Sequence, residues 1–434
     1  MAKINIFWFR RDLRLVDNVG LYNALNSSNP ILPIFIFDPE IIENLPKNDA
    51  RLSFIFKQLG ILKKILQEKN NTNISVFYGN PLRVFKKLTQ QYQIQQVYTN
   101  HDYEPYAIQR DLAIKNYLED KNIQLLSYKD QVIFERDEIT KKDGTPYLVY
   151  TPYMKKWKLN FNPKDHLPKP DVSKHSNYFQ AAKWESIQLN DMGFISSGIN
   201  VPPYNITEEI LINYASNRDF PSKNATSLLS THLRFGTVGI RFLVQKAYQL
   251  QAKTFLNELI WREFFMQILY HFPNTVTQAF KPIYDNIVWR NNPQDFEAWK
   301  NGQTGYPLVD AGMRELNNTG LMHNRVRMLV SSFLCKHLLI DWRWGEAYFA
   351  KKLLDYEMAS NVGNWQWAAG CGVDAAPYFR IFNPITQLQK FDKQLTYVKK
   401  WVPEFDSLTY PTPIIDHKIA RNRCLKAYKQ ALNK

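Results

Sequence analysis

The pattern that most constrains this fold is a change from alternating strands and helices to helices alone. Short apolar runs occupy residues 4–9 and 31–37, and strand-like segments at 73–79 and 95–100 continue the series. Helical patterns separate them, for example at residues 52–69 and 81–90. Because such alternation is typical of buried parallel strands, the first 130 residues predict a doubly wound α/β sheet. Sheets of this kind bind ligands at the carboxyl ends of their strands.

After about residue 206 the strand pattern disappears. Successive helical patterns occupy residues 208–215, 239–250, 255–270, 306–317, 324–339 and 345–354. A stretch rich in Pro, Lys, Asp and Ser lies between the two halves and is typical of a connector. Since 434 residues are too many for one ordinary core, we expect three segments. They are an α/β domain at residues 1–131, an inter-domain linker at 132–205 and a helical domain at 206–434.

Charge and cysteine content narrow the class of protein. Lys and Arg number 55 against 40 for Asp and Glu, and the net charge of +15 suits a polyanionic partner, nucleic acid before membrane. No uninterrupted run of about 18 apolar residues predicts a membrane span. The N-terminal apolar run is short and meets three arginines, which is unlike a signal peptide and favours a cytoplasmic protein. The three cysteines lie far apart, so neither a zinc site nor a disulfide framework is expected, and we predict no metal.

A polar loop precedes an apolar helix start in RDFPSKNATSLLSTHLRFG, residues 218–236. Thr226, Ser227 and Ser230 supply hydroxyls there. Hydroxyls together with backbone N–H groups at a helix N-terminus suit a pyrophosphate. An ordinary N-cap explains the same residues, so both interpretations stay open at this point.

Two predicted helices carry faces of mixed polarity. Glu258, Trp261 and Arg262 share one face, by their spacing of three and four residues. They form either a solvated ion pair beside the core, or a set that contacts a base, stacks on it and holds a phosphate. The second face consists of Asn324, Arg327, Met328 and Ser331. An amide, a cation and an adaptable thioether on one face suit a ligand of mixed polarity.

Two tryptophans stand two residues apart in SNVGNWQWAAG, residues 360–370. Trp365 and Trp367 are either part of a core or the wall around a planar aromatic cofactor, and Asp355 and Asn361 lie close in sequence. The sequence shows no legible Ser/His/Asp set, no P-loop and no GxGxxG motif after the first strand. A site with polar groups, aromatics and cations but no evident nucleophile would do its chemistry through a bound cofactor.

Together these segments resemble the photolyase/cryptochrome family over essentially the whole chain. The resemblance rests on several long motifs in family order: WFRRDLRLVDN, TSLLSTHLRFG, NELIWREF, AWKNGQTGYPLVDAGMRELNNTG, MHNRVRM, DWRWGEAYF and NWQWAAGCGVDAAPYFRIFNP. Within the family the chain is most similar to a bacterial-type (class I) cyclobutane pyrimidine dimer DNA photolyase. This implies a doubly wound parallel-sheet domain, a long linker and a C-terminal helical domain that binds FAD.

The resemblance also implies which residues hold FAD. The phosphates and ribityl chain would be bound by Tyr214, Thr226, Ser227, Leu228, Leu229 and Ser230. The remaining cofactor-binding residues implied are Arg327, Asp355, Tyr356, Glu357 and Asn361. Arg327 would pair with Asp355 beside the flavin, and Asn361 would face flavin N5. The family usually has Asp where this chain has Glu357.

Other family positions carry the substrate and the electron supply. The residues that match the electron relay from flavin to surface are Trp365, Trp342 and Trp289. Trp261 and Trp367 match the aromatic walls of the substrate pocket. Glu258, as a protonated acid, would hydrogen-bond a pyrimidine carbonyl, with Asn324 on the other side of the dimer and Met328 packed against it. The expected DNA phosphate contacts are Arg218, Arg262 and Arg325.

The function implied is light-dependent repair of cyclobutane pyrimidine dimers in DNA. Excited, reduced FAD would donate an electron to the flipped-out dimer, whose ring then splits before the electron returns. The alternative is a cryptochrome-type blue-light photoreceptor without repair activity. Asn361 near N5, Met328 at the lesion and a short C-terminus favour the enzyme. We expect dimer-containing DNA as the partner, no membrane association and a monomer.

The α/β domain is where the family holds a second, light-harvesting chromophore. The residues that relatives use for methenyltetrahydrofolate align with Tyr106 and Ala107 in this chain. If the site binds a chromophore at all, a deazaflavin or a flavin is therefore favoured over the folate. The residues predicted to line it are Arg11, Asp38, Arg51, Asp102 and Glu104.

Overall fold

The computed structural model of the chain describes residues 3–167, 176–181 and 184–432. Its strands are β1 (Lys3–Phe9), β2 (Ile31–Phe37), β3 (Ser75–Tyr78), β4 (Gln93–Asn100) and β5 (Gln124–Tyr128). The strand order is β3-β2-β1-β4-β5, and all four pairings are parallel. Together with the helical C-terminal region, this sheet confirms the predicted fold class.

Burial explains why these runs form strands. Every residue of β2 is buried, as is every residue of β1 after its first, which is typical of strands covered on both faces. The helices connecting the strands are α1 (Val19–Leu25), α2 (Pro39–Ile42), α3 (Ala50–Asn70), α4 (Pro81–Gln91) and α5 (Pro105–Glu119). Sequence analysis missed β5, because its segment QLLSY lies at the sheet edge and gives no continuous apolar run.

The remaining described helices follow the sheet in the chain. They are α6 (Tyr150–Asn160), α7 (Pro163–His166), α8 (Glu208–Ile212), α9 (Tyr214–Asn217), α10 (Ser230–Arg234), α11 (Ile240–Gln249), α12 (Lys253–His271), α13 (Pro293–Lys300), α14 (Pro307–Thr319), α15 (Asn324–Ser332), α16 (Trp342–Lys352), α17 (Met358–Ala369), α18 (Pro384–Phe391), α19 (Thr396–Trp401) and α20 (His417–Leu432). Among the described residues, no helix is both long and apolar enough to cross a membrane.

The chain divides into two compact units. Unit 1 comprises Met1–Ile139, Lys156–Tyr204 and Leu228–Gln251. Unit 2 comprises Thr140–Lys155, Asn205–Ser227 and Ala252–Lys434. The domain boundaries derived from the sequence, at residues 131 and 205, stay predictions. The Pro- and Lys-rich part of the predicted linker, residues 168–175, lies outside the described residues.

Two of the predicted helices are interrupted in the structure. The pattern at residues 208–215 is divided at Asn213 into α8 and α9. The pattern at residues 324–339 ends as an α-helix at Ser332 and continues as a π-helical turn over Phe333–His337. All five residues of that turn are buried, so the wider turn fits bulky side chains into the core of unit 2.

Within unit 1, a buried network of four charged side chains links α11 to residues that flank the sheet. The carboxylate of Asp130 accepts from Arg14 Nη2 at 2.6 Å and from Arg241 Nη2 at 2.7 Å. Arg241 also donates from Nε to Asp17 Oδ1 at 2.5 Å. Burial alone would raise the pKa of Asp130, but the two guanidinium groups hold it below its usual value. Each charge in this network therefore depends on its partners to remain ionised without water.

We predict that Asp130→Asn destabilises the protein by about 3–5 kcal/mol, because it leaves Arg14 and Arg241 buried beside a neutral amide. Urea denaturation monitored by far-UV circular dichroism measures the effect. The matched control is Glu68→Gln, which breaks an exposed pair with Lys64 on α3 and should cost less than about 1 kcal/mol. Equal losses in the two variants would show that the buried network does not have this role.

Candidate functional site

A cavity opens in unit 2 and is lined by both polar and aromatic side chains, as ligand sites are. Helices α15 and α17 and the segment before α17 supply most of its walls. The lining residues are Asn324, Arg327, Met328, Ser331, Phe349, Leu353, Asp355, Tyr356, Glu357, Ser360, Asn361, Asn364, Trp365 and Trp367. The structure thus gathers nine of the predicted site residues around one space, and it adds Phe349 and Leu353 as apolar walls.

An ion pair fixes one wall of the cavity. Arg327 donates through both terminal nitrogens to the carboxylate of Asp355, at 3.2 and 2.9 Å, and through Nε to the carbonyl of Met322 at 2.7 Å. The pair expected between Arg327 and Asp355 is therefore present. Because all three contacts hold the guanidinium in one plane, its orientation beside the cavity is set in advance.

The first turn of α17 is held by Glu357. Its carboxylate accepts from the backbone N–H groups of Ala359 and Ser360, at 3.2 and 2.8 Å. This is N-capping, for which Asp is the usual acidic residue and which also places a negative charge at the positive end of the helix. The departure from the family pattern at Glu357 therefore keeps the cap, and the side chain is 7% exposed at the cavity wall.

One side of the Asn361 amide is already occupied within the protein. Its Nδ2 donates to Glu346 Oε1 at 2.9 Å and to the Glu346 carbonyl at 3.3 Å. Burial raises the pKa of Glu346, while hydrogen bonds from Asn361 and Tyr356 oppose the rise. With Nδ2 used in this way, Oδ1 is the atom that Asn361 offers to a ligand in the cavity, and it can accept from an N–H group. Sequence analysis did not find Glu346, because a Glu on α16 carries no motif signal.

The two tryptophans of α17 have different surroundings. Trp365 is 2% exposed and packs on Trp299 and Phe349, with ring centroids 6.2 and 5.0 Å apart. Trp367 lines the cavity and is only half-buried. The core and cavity-wall interpretations therefore both apply to Trp365, which lines the cavity from within the core.

Of the other two predicted relay residues, Trp342 is as buried as Trp365 and Trp289 is partly exposed. Trp342 is 1% exposed at the start of α16, with the Arg343 guanidinium 4.8 Å from its ring. Trp289 is half-buried and packs against Tyr428, with ring centroids 6.0 Å apart. Only Trp289 of these three tryptophans reaches the surface, and the relay itself stays a prediction.

Glu258 and Trp261 do not line the cavity. Trp261 stacks on Tyr150, with ring centroids 3.6 Å apart and an angle of 8° between the planes, and on Phe265 at 5.5 Å. Tyr150 is 7% exposed and donates its hydroxyl to the carbonyl of Asn257 at 2.7 Å. One face of Trp261 is therefore covered. Sequence analysis missed Tyr150, which lies more than 100 residues away in the chain.

A chain of alternating charges links Glu258 to the edge of the cavity. Glu258 accepts a short hydrogen bond from Arg218, Arg218 lies near Asp219, and Asp219 pairs with Arg325 at 2.6 Å. Arg325 reaches Met328 Sδ at 3.7 Å. Burial would lower the pKa of Arg218, but the hydrogen bond to Glu258 raises it above its usual value.

In this arrangement Glu258 is occupied by Arg218, so it could meet a pyrimidine carbonyl only after that guanidinium is displaced, and its role as a protonated acid stays a prediction. The arrangement also means that Arg218 and Arg325, two of the three predicted phosphate contacts, already have carboxylate partners. Arg262 lies on α12 beside Trp261 and is half-buried.

The predicted phosphate loop crosses the division between the two units. Thr226 and Ser227 belong to unit 2, whereas Leu228, Leu229 and Ser230 belong to unit 1. Helix α10, which follows the loop, has only five residues, and Leu229 caps it without a side-chain hydrogen bond. Since so short a helix has a weak dipole, anion binding there would rest on hydroxyls and loop N–H groups. Leu228 has a φ of 53° and is 42% exposed.

Tyr214 begins α9 in unit 2. Its ring packs against Phe255 at 5.4 Å, and the Arg218 guanidinium lies 5.4 Å from its centroid. Burial, and then the charge of Glu258, raise the pKa of its hydroxyl to about 12. Tyr214 thus stands next to the charged chain at Glu258 and remains a neutral phenol.

The five predicted antenna residues all make ion pairs or hydrogen bonds within unit 1. Arg11 pairs with Asp102 and Glu104, at 3.1 and 2.9 Å. Arg51 pairs with Asp49 at 2.6 Å. Asp38 accepts from the Tyr106 hydroxyl at 2.5 Å and lines a separate, open cavity at the carboxyl ends of β2 and β3. The charges of Arg11, Asp102 and Glu104 are thus satisfied by one another.

No metal site accompanies the cavity. Over residues 3–167, 176–181 and 184–432, no group of three or more His, Cys, Asp or Glu side chains is placed to hold a metal ion. The residues of the cavity do fit a flavin. A fixed guanidinium, an amide acceptor and indole walls suit a planar ring with polar edges, and Glu357 and Asp355 add carboxylates.

We predict that Gly345→Ala destabilises the protein by about 1–3 kcal/mol and displaces Trp365, because the added Cβ would overlap the indole. Thermal unfolding and the tryptophan emission spectrum measure the two effects. The matched control is Gly60→Ala on α3, where the added Cβ meets no atom within 4 Å. Since Ala is the better helix former, the control should stabilise by about 0.5–1 kcal/mol. If Gly345→Ala left both the stability and the emission spectrum unchanged, α16 and α17 would be free to move apart.

His323 makes stability depend on pH. It caps α15 by accepting from the Arg325 N–H at 3.2 Å, and burial, then Arg327 and Arg325, lower its pKa from 6.5 to about 4. Between these values the unfolded chain binds a proton that the folded chain does not. Acid therefore favours unfolding by about 1.4 kcal/mol per pH unit for this residue.

We predict that His323→Asn, which keeps a capping side chain but does not titrate, flattens the fall in stability between pH 6.5 and 4. Urea midpoints measured across this range in the wild type and the variant test the prediction. The variant should retain the part of the slope that comes from His337, whose pKa burial lowers to about 3. Parallel curves for the two proteins would contradict the prediction.

Comparison with known proteins gives matches along the chain. Residues 5–171 match the family model described as DNA photolyase, and residues 255–409 match the one described as the FAD binding domain of DNA photolyase. A relative from Agrobacterium fabrum named deoxyribodipyrimidine photo-lyase is 36% identical over 98% of this chain and 97% of its own length.

Solved structures match over the same length. A crystal structure of a bacterial class III photolyase from Agrobacterium tumefaciens has a TM-score of 0.90 and 34% identity, and the match covers 100% of this chain and 98% of that one. A cryptochrome from Synechocystis sp. PCC6803 has a TM-score of 0.85 and 26% identity, with 98% and 99% of the two chains covered.

Proposed function

The chain belongs to the DNA photolyase family and carries its FAD-binding domain, and on that premise we propose that it repairs cyclobutane pyrimidine dimers in DNA under light. One observation carries the proposal. The cavity that fits a flavin is lined at the same time by Asn324, Met328 and Trp367, the residues implied for the dimer. Cofactor and substrate residues therefore share one space, which a light-driven electron transfer between them requires.

The residues that would hold FAD are those of the cavity wall. Arg327 and Asp355 would hold the ring system by their fixed pair, and Asn361 Oδ1 would accept a hydrogen bond from the ring edge. Tyr214 and the loop residues Thr226 to Ser230 would contact the remaining, phosphate-bearing part. When bound and reduced, FAD supplies the light absorption and the electron that splits the dimer.

The chain's own residues bind the substrate and exclude water. Met328 and Trp367 offer an apolar wall on which a flipped pyrimidine pair can pack, and Asn324 offers an amide for its polar edge. Arg262 would contact phosphate, and Arg218 and Arg325 would do so after exchanging their carboxylate partners. Such exchange lets Glu258 turn from Arg218 to a pyrimidine carbonyl when the lesion arrives.

A cryptochrome-type photoreceptor is the second candidate. The structural similarity to the Synechocystis cryptochrome favours it, although the identity to that chain is lower than to the photolyases. A receptor needs the flavin cavity but no dimer contacts. The neutral Asn361 amide and the thioether of Met328 at the cavity therefore favour repair. A second chromophore in unit 1, a cytoplasmic location and a monomeric state remain predictions.

The test is repair of DNA that contains a thymine dimer. Purified protein with reduced flavin should restore the ultraviolet absorbance of the thymines under blue light and not in darkness. No repair in light, despite bound and photoreducible FAD, would move the protein to the photoreceptor class.

We predict that Glu258→Ala binds dimer DNA up to about tenfold more weakly and repairs less per photon, because it removes a hydrogen bond between neutral groups that is worth about 0.5–1.5 kcal/mol. The matched control is Glu404→Ala, which removes a carboxylate of similar exposure that also pairs with an arginine, Arg314. Fluorescence anisotropy of dimer and undamaged duplexes measures the change. If both variants lose affinity equally, Glu258 is not a lesion contact.

A further inference from the structure

The half-buried indole of Trp261 is held by a residue from a distant part of the chain. Tyr150, the first residue of α6, belongs to unit 2 like Trp261 and is 7% exposed. The two rings are almost parallel, with 8° between their planes and 3.6 Å between their centroids. Because this distance is about the contact distance of two carbon atoms, the rings have almost no lateral offset. The phenol therefore covers one face of the indole.

So complete an overlap is not what two aromatic rings adopt by themselves. Aromatic pairs prefer offset or edge-to-face arrangements with centroids about 4.5–7 Å apart, because the π-electron density of one face repels that of the other. The other neighbours of Trp261 keep this preference: Phe264 meets it edge to face at 5.6 Å, and Phe265 lies 5.5 Å away. Further contacts must therefore hold Tyr150 on Trp261.

Three contacts fix the position of Tyr150. Its hydroxyl donates to the carbonyl of Asn257, which lies one turn before Trp261 on α12, at 2.7 Å. Its backbone N–H donates to Asp374 Oδ2 at 3.2 Å. The ring of Phe264 packs edge to face against it, with centroids 5.9 Å apart. Because these contacts involve the backbone, the ring and the hydroxyl, they define the position of the whole residue.

The contact from Asp374 links Tyr150 to the segment that follows α17. The first N–H groups of a helix have no partner within it, and Asp374 supplies one for the first residue of α6. Asp374 has a φ of 47°, a left-handed conformation that Asp adopts more readily than most residues. This segment begins after Trp367, so both tryptophans assigned to the substrate are connected to Tyr150 through short stretches of chain.

Tyr150 stays uncharged beside the charged chain at Glu258. Burial raises the pKa of its hydroxyl above the usual value, and the charge of Glu258 raises it further, while that of Arg218 opposes the rise. A neutral phenol whose proton is donated to a carbonyl has no charge with which to attract or repel a phosphate. Its effect on a substrate must therefore act through Trp261.

We propose that Tyr150 is a positioning residue of the substrate pocket, which holds Trp261 so that a flipped pyrimidine can stack only on the indole surface that Tyr150 leaves open. The proposal rests on the proposed function, with Trp261 as the wall of the lesion pocket that the family resemblance implies. Glu258 lies three residues before Trp261 on the same face of α12. A fixed indole therefore also fixes the spacing between the stacking surface and the carboxyl group.

Fixing the indole in advance favours binding of the lesion. A side chain that must be ordered by its ligand weakens the affinity by about two- to tenfold. Tyr150 removes this cost from the binding step, because the indole is already ordered in the folded protein. Undamaged duplex keeps its bases stacked within the helix, so its affinity does not depend on how Trp261 is held.

The first test compares dimer DNA with undamaged duplex by fluorescence anisotropy. Tyr150→Leu keeps an apolar side chain but removes the ring, and it should bind dimer DNA about fivefold more weakly while its affinity for undamaged duplex is unchanged. Repair per absorbed photon at saturating dimer DNA should equal that of the wild type, because positioning acts on binding. Tyr150→Phe keeps the ring and should restore dimer affinity to within about twofold.

The second test needs no DNA. Fluorotryptophan is incorporated, and the fluorine resonance of Trp261 is assigned by its loss in Trp261→Phe. This resonance reports the ring that covers the indole. It should shift in Tyr150→Leu and stay near its wild-type position in Tyr150→Phe.

Matched controls separate positioning from general stability. Phe161→Leu also removes a ring stacked on an indole, that of Trp157 in unit 1 at 4.9 Å, and it should leave the ratio of dimer to undamaged affinity unchanged. Asp374→Gly and Asp374→Asn both remove a charge and both tolerate a positive φ, but only Asp374→Gly removes the acceptor for the Tyr150 N–H. Asp374→Gly should therefore lower the ratio and Asp374→Asn should not, which tests the proposal even if Tyr150→Leu does not fold.

Failure of this proposal and failure of the proposed function give different results. If the wild type prefers and repairs dimer DNA, but Tyr150→Leu and Asp374→Gly keep its full preference or leave the Trp261 resonance in place, Tyr150 is not a positioning residue. Equal losses of preference in Tyr150→Leu and Phe161→Leu would reduce its role to stability. If the wild type neither prefers nor repairs dimer DNA, the proposed function is wrong and this proposal falls with it.

Discussion

The close contact between α16 and α17 is the constraint on which the candidate site depends. Gly345 leaves room for the indole of Trp365 where any other residue would place a Cβ inside the ring. With the helices this close, Glu346 reaches Asn361, and its oxygens take both amide hydrogens. Gly345 thus determines how deeply Trp365 is buried, and Glu346 determines which atom of Asn361 faces the cavity.

The charged networks of the two units differ in how much water they have lost on folding. In unit 1, Asp130 stays ionised because Arg14 and Arg241 replace the water it has lost. The chain from Glu258 to Arg325 is more exposed, so water can replace each partner at moderate cost. A buried network of the first kind fixes the fold, whereas a half-exposed chain of the second kind can exchange partners. Substrate phosphate and pyrimidine carbonyls are suitable partners for that exchange.

The sequence predicted those parts of the structure that have a periodic or motif signal. Strands β1 and β2 are continuous apolar runs and α12 has helical spacing, so these were predictable, whereas α17 was not predicted as a helix. Strand β5 was missed because an edge strand need not be apolar. The pairing of Arg218 with Glu258 and the stacking of Tyr150 on Trp261 join residues 40 and 111 positions apart in the numbering. Such contacts depend on how helices pack, which local pattern does not specify.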